Sequence, residues 1–154
     1  RKVCLYTISG GYHKVDTDSK HEILDNGICP KSFLSWIQER KDIAFLFRPH
    51  PTHCLVKYKG LMKTLFQLER KNSNLYANYF FDWNLKQLLN ISDIHFTMSS
   101  NSVYFSSKQG ILTYSLCHNI TKGGDQENYM ADLEKDGFLM KENYKTINYN
   151  LCVE

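Results

Sequence analysis

Four short stretches of the sequence carry side chains whose types and spacing could do chemistry. The first is "FLFRPHPTH", Phe45 to His53, where a hydrophobic run passes straight into Arg-Pro-His-Pro. His50 stands between Pro49 and Pro51, so its backbone has few options and its imidazole a fixed direction. An imidazole held in this way can donate a hydrogen bond to a phosphate oxygen and adds charge when protonated. Arg48 could reinforce it, although strand periodicity could also turn Arg48 away. The plainer reading is that the prolines only stop a strand and His50 caps a nearby carbonyl; these residues alone leave both open. His50, His53 and Cys54 are also ligand types that suit zinc. Their close spacing around a proline, with no companion Cys/His pair elsewhere, does not match a standard site, so no metal is expected and Cys54 is assigned to the core.

The second stretch is "MSSNS", in which Ser99, Ser100, Asn101 and Ser102 lie between a strand and a helix. Their hydroxyls and the free N–H groups there can cap the helix or cradle a phosphate. Alone, capping suffices; with "RPHP" one strand–helix–strand unit earlier, the phosphate reading gains. The third is "GGDQEN". Gly123 and Gly124 make a flexible approach, and Asp125 with Gln126 offers acceptors and donors suited to sugar hydroxyls, or else simply starts a capped helix. The fourth is "SGGYHK", where Ser9, Gly10 and Gly11 suggest a phosphate loop but fit neither the G-x-G-x-x-G nor the Walker pattern, and a plain turn explains them equally.

These stretches need elements to position them. "KVCLYTIS" reads as a buried strand closed by a Gly turn. "PKSFLSWIQER" follows as a helix with Pro30 at its start. "DIAFLFRP" is a second apolar strand, "YKGLMKTLFQLERK" a helix with a solvated face, and "NLYANY" a short third strand. "DWNLKQLLNIS" reads as a helix with Asp82 as N-cap, "DIHFTMSS" as a fourth strand, "NSVYFSSKQG" as a short helix closed by Gly110, and "ILTYSL" as a fifth strand. "DQENYMADLEKDG" reads as a last helix, with acids at its start and Gly137 at its end. Strands and helices alternate, and the strands read as apolar throughout. That pattern predicts a doubly wound α/β domain of about five or six parallel strands with helices on both faces. Ligands in such sheets bind beyond the carboxyl ends of the strands, so the four stretches are expected to converge on one edge.

The bulk properties narrow the partners. The 154 residues suit one domain, and 42% hydrophobic with 23% charged residues is ordinary for a globular protein. No apolar run approaches the roughly 20 residues that span a bilayer. A formal net charge of +3 tolerates an anionic ligand but lacks the Lys/Arg stripe of a nucleic-acid binder. Cys4, Cys29, Cys54, Cys117 and Cys152 are odd in number and scattered, which suggests reduced thiols in a cytoplasmic setting. The sequons at Asn90 and Asn119 are then accidental. Because the first residue is Arg and a strand follows at once, the chain is expected to be a piece of a longer protein.

The order "FLFRPHP", then "LLNISDIHFTMSSNSVYFSSKQGILTYSL", then "GGDQENYMADLEKDGF" resembles the C-terminal, donor-binding domain of GT-B glycosyltransferases of the bacterial capsule, lipopolysaccharide and teichoic-acid type. In those enzymes a strand ending in Lys/Arg-Pro-His-Pro precedes a Ser-Ser segment, as His50-Pro51 precedes Ser99-Ser100 here. The same pair is similar to that of bacterial sialyltransferases and Kdo transferases, and "GILTYSL" with "GGDQENYMADLEKDGF" looks like another GT-B pattern, Gly-x-Pro followed by Asp-Gln-x-x-Asn-Ala. The sequence also departs from the family. Thr97 stands where many UDP-sugar enzymes carry a His, Ile111-Leu112 replaces a Gly-Lys-Pro turn, and Tyr104-Phe105 replaces an acidic residue. These departures bear on which donor is bound more than on the fold.

The resemblance implies a Rossmann-like domain over residues 1–154, half of a two-domain enzyme. That enzyme would move a sugar or an alditol phosphate from a CMP-, CDP- or UDP-linked donor to a glycan acceptor without a metal. It implies that Ser9, Gly10, Gly11, Arg48, His50, Ser99, Ser100, Asn101 and Ser102 hold the nucleotide phosphate, with His50 stabilising the leaving group, and that Asp125 and Gln126 hold the donor sugar. The acceptor would bind on a missing N-terminal half, leaving this chain inactive alone. Such an enzyme would work in the cytoplasm, with peripheral association of the full protein at the inner face of the membrane. Two other readings are compatible with the sequence: a nucleotide-sugar epimerase-like domain, and a non-catalytic α/β scaffold or partner module.

Overall fold

A computed structural model of the chain describes residues 1–8, 28–29, 31–51, 59–77, 82–97, 102–117 and 144–148, the side chains of 31–32, 115–117 and 144–148 excepted. In chain order the elements are β1 (Lys2–Thr7), α1 (Lys31–Glu39), β2 (Ile43–Arg48), α2 (Lys59–Lys71), β3 (Leu75–Tyr76), α3 (Leu85–Asn90), β4 (Ile94–Thr97), α4 (Ser102–Lys108), β5 (Leu112–Cys117) and β6 (Tyr144–Asn148). The strands form one six-stranded sheet in the order β3-β2-β1-β4-β5-β6. Every neighbouring pair runs parallel. The fold is therefore α/β with an all-parallel sheet, as the alternation of strands and helices predicts. From β1 the chain builds outward to one side through β2 and β3, then crosses to the other side for β4, β5 and β6. The reversal falls between β1 and β4, the kind of place where parallel α/β sheets open a crevice at their carboxyl ends.

Alternate residues of β1 enter two separate cores, as the two-residue period of a strand requires. Cys4 and Tyr6, with Ile8 just past the strand, join Ile43, Phe45 and Phe47 of β2, Phe33 and Ile37 of α1, and Leu61, Leu65 and Leu68 of α2. Leu5 joins Leu46 of β2 with Leu88 and Leu89 of α3. The larger core is aromatic at its centre. The ring of Phe33 lies 5.2 Å from that of Tyr6, 5.1 Å from Phe96 and 5.8 Å from Trp36, within the range where ring pairs attract beyond simple burial.

Polar side chains fix the joints between elements. The buried Asn74 donates its side-chain N–H to the carbonyls of Ile37 at 2.8 Å and Arg40 at 3.0 Å. These are two of the acceptors that the end of a helix leaves open. Its own carbonyl accepts from Phe45 N at 2.8 Å, so one residue ties α1 to β2. Asp93 pins the start of β4 to β1 by accepting from Val3 N at 2.7 Å and donating its own N–H to Val3 O at 2.9 Å.

Two expectations from the sequence are corrected. The N-cap of α3 is Asn84, not Asp82: its side chain accepts from Gln87 N, and Gln87 Oε1 accepts from Asn84 N, each at 2.9 Å. This reciprocal pair is a capping box, which Asp82 is two residues too early to make. The strands are also not apolar throughout. Thr7, His95, Thr97 and Thr113 are buried within β1, β4 and β5. Strand β6 was not anticipated, and the expected helix over residues 125–137 lies outside the described residues.

Candidate functional site

The strand registers align the last residues of β1, β2 and β4 into a row at the carboxyl edge, which continues into β5 two residues before that strand's end. Thr7 of β1 is the register partner of Arg48 of β2 and of Thr97 of β4, and Thr97 is the partner of Ser115 of β5. Register partners in a parallel sheet share a face. Arg48 therefore lies on the face of Thr7 and Thr97, one strand spacing of about 4.8 Å from Thr7. Strand periodicity does not turn it away from the site.

Arg48 is half-buried, and the loss of water pulls its pKa below the ordinary guanidinium value. No hydrogen bond or ion pair joins its guanidinium to another described residue, and no described acidic group compensates it. A partly desolvated cation in that position gains by taking up an anion. His50 follows two residues later, exposed and just past the end of β2, with Pro49 half-buried between them.

Behind the edge runs a buried chain of hydroxyls centred on His95, which is fully buried. Its Nε2 lies 3.0 Å from Thr7 Oγ1, and Thr7 Oγ1 lies 2.7 Å from Ser102 Oγ at the start of α4. Its Nδ1 lies 3.1 Å from Thr113 Oγ1, which in turn contacts Ser106 Oγ at 2.5 Å. Ser106 Oγ donates to Val103 O at 2.9 Å, and Thr97 Oγ1 donates to Thr7 O at 3.3 Å. Burial pushes the His95 imidazole down to about 3, so it is neutral at physiological pH.

Of the residues singled out in the sequence, Arg48, His50 and Ser102 lie among the described residues, at the carboxyl ends of β2 and at the amino end of α4. Ser102 is buried and bonded to Thr7 rather than open at the surface. Ser9, Gly10, Gly11, Ser99, Ser100, Asn101, Asp125 and Gln126 lie outside the described residues, as do His53 and Cys54. Among the described residues no group of three or more His, Cys, Asp or Glu could hold a metal ion.

Thr7, His95, Thr113 and Ser106 were not singled out. The signal that would have found His95 and Thr113 is the strict alternation in "IHFT" and "LTYS", polar at every second position; Thr7 and Ser106 lie outside those runs.

No protein-family model, no curated protein and no solved structure matches this chain. The described helices include none long and apolar enough to cross a membrane.

Proposed function

We propose that this chain is a nucleotide-binding α/β domain that holds the phosphate of an activated sugar at the carboxyl edge of its sheet. More particularly, we read it as the donor-binding half of a metal-independent GT-B glycosyltransferase or glycerophosphotransferase-like enzyme of bacterial surface-polysaccharide synthesis. The observation that carries this reading is Arg48. It is a half-buried, partly desolvated cation with no partner among the described residues, set in the edge row beside Thr7 and followed by His50. The reversal of strand order between β1 and β4 supports a ligand at that edge. The division of β1 between two cores, one with α1 and α2 and one with α3, supports helices on both faces of a Rossmann-like half.

In this reading Arg48 and His50 meet the nucleotide phosphate from β2. Ser9, Gly10 and Gly11 approach it from β1, and Ser99, Ser100, Asn101 and Ser102 from β4. Pre-aimed donors stabilise negative charge as it develops on the leaving nucleotide, and His50 is assigned that role. Helix α4, seven residues long, adds little macrodipole, so most of the charge complementarity rests on Arg48. Asp125 and Gln126 are assigned to the donor sugar. The acceptor and the catalytic base would come from a second domain, the isolated chain would be inactive, and the enzyme would act in the cytoplasm with peripheral attachment to the membrane.

The test is calorimetric titration of the chain with CMP, CDP and UDP, alongside Arg48→Ala and His50→Ala. One of the nucleotides is expected to bind, and each substitution to weaken it about tenfold or more, the scale of a hydrogen bond to a charged group. Absence of binding by all three at millimolar concentration would leave a non-catalytic module as the reading.

A further inference from the structure

Helix α2 is thirteen residues long, and its charges are sorted to one side. Leu61, Leu65 and Leu68 are its buried residues. With 3.6 residues per turn, Lys59, Lys63 and Arg70 fall within roughly 40° of one another on the opposite, exposed side. They form a row about 16 Å long, and a fourth exposed cation, Lys71, closes the helix. Met62 and Phe66 lie half-buried along one flank of the row. No ion pair or side-chain hydrogen bond joins any of these cations to another described residue. Glu69 is the one acid of α2, and it lies off the row, its carboxylate accepting from Ala77 N at 2.9 Å just past β3.

Helix stability does not ask for this arrangement. The positive end of the macrodipole favours an acid in the first turn, and α2 has none there. Lys59 and Lys63 stand four residues apart, a spacing at which like charges repel, and no acid of α2 lies three or four residues from either to offset it. A row of cations that weakens its own helix gains when a negative surface neutralises it. We propose that the exposed face of α2 docks on an anionic phospholipid surface. Lysines are mobile point charges on long stems, so a straight row of them matches a layer of headgroups better than one converged phosphate. Each basic residue in the row adds to the attraction, and Met62 and Phe66 supply apolar contact at headgroup level. A nucleic acid fits less well, since the chain as a whole carries only +3. The face uses no residue of the carboxyl-edge site, so the proposal goes beyond the donor reading and does not need it. It gives the peripheral attachment a definite surface.

The test is co-sedimentation of the chain with vesicles of phosphatidylcholine alone and of phosphatidylcholine mixed with phosphatidylglycerol, at low and at high salt. The wild type is expected to sediment with the mixed vesicles, to be released by salt, and to leave phosphatidylcholine alone unbound. Lys63→Gln/Arg70→Gln removes two charges from the row and is expected to weaken that binding about 30-fold. Lys86→Gln/Lys108→Gln removes the same charge from exposed positions on α3 and α4, which cover the other face of the sheet, and is expected to change it less than about twofold. Should the first variant not fold, Lys59→Gln/Lys63→Gln takes two charges from the same row. Failure of the wild type to sediment with the mixed vesicles at low salt overturns the proposal. So does an equal loss in the two double variants, which would make net charge the cause, or tighter binding to a duplex DNA oligonucleotide than to the vesicles. The nucleotide titration above is read separately: its failure overturns the donor reading and leaves this surface standing, and the reverse holds as well.

Discussion

A histidine cut off from water must stay uncharged or leave its site, and that makes His95 a source of acid sensitivity. Its folded-state pKa, about 3, lies well below the 6.5 of an exposed imidazole, with burial as the cause. Below pH 6.5 the unfolded chain takes up a proton that the native chain refuses. Its stabilising contribution is therefore full above that pH and is lost as pH falls toward 3, at up to ~1.4 kcal/mol per unit. Urea midpoints measured from pH 7 down to pH 4 are expected to fall for the wild type and to fall less steeply for His95→Gln. Two thiols buried among the described residues behave as apolar groups: burial raises Cys4 to about 12 and pushes Cys29 up as well. A thiol reagent is expected to label neither until the chain is unfolded, with mass mapping as the check. At this scale the sequence was half legible. Proline on both sides made His50 conspicuous, whereas His95 was hidden inside a run read as apolar. Its meaning lies in partners 88 and 18 residues away, which no local pattern reveals.

Single elements are closed by local chemistry that can be tested residue by residue. Asn84 satisfies the first turn of α3, and Asn84→Ala is expected to cost about 1 kcal/mol in a urea titration. At the other end of the site helix, Gly110 has φ 69, Gly110 N bonds Ser107 O at 3.0 Å and Ile111 N bonds Ser106 O at 3.0 Å. This is a Schellman closure, which brings the chain back into the sheet at β5. A methyl group added at Gly110 meets nothing within 4 Å. The cost of Gly110→Ala is then backbone strain alone, roughly 1–2 kcal/mol, and Gly110→Asn should cost less. Gly110 was legible as a helix stop because glycine marks that position. The capping box was legible too, in Asn84 and Gln87, but an Asp two residues earlier drew attention away from it. Strand β6 was missed because "YKTIN" is short and offers no turn signal. Its pairing with β5 is a tertiary fact.

Across the whole molecule the all-parallel α/β architecture was readable from the alternation of apolar runs and helical spacings, whereas the order of the strands within the sheet was not. Nor was the polar row at the carboxyl edge, because register aligns residues that sequence separates. The core that supports this edge has one residue at its centre. Phe33 is 1% exposed and packs on Tyr6, Trp36, Phe45, Phe47 and Phe96, so it joins a helix to three strands. Phe33→Ala is expected to cost about 3–5 kcal/mol, read as a fall in the urea midpoint at unchanged m-value. The central place of β1 has a kinetic consequence. One of its flanks is filled early by β2, but the other waits for β4, whose contacts with β1 reach 90 residues along the chain. Loop-closure entropy must be met before those pairings return anything, which places the domain among slow folders. A nascent chain that has released β1, β2 and β3 but not β4 would carry an open strand edge in the middle of its future sheet. In that interval the chain is most exposed to pairing with the wrong strand.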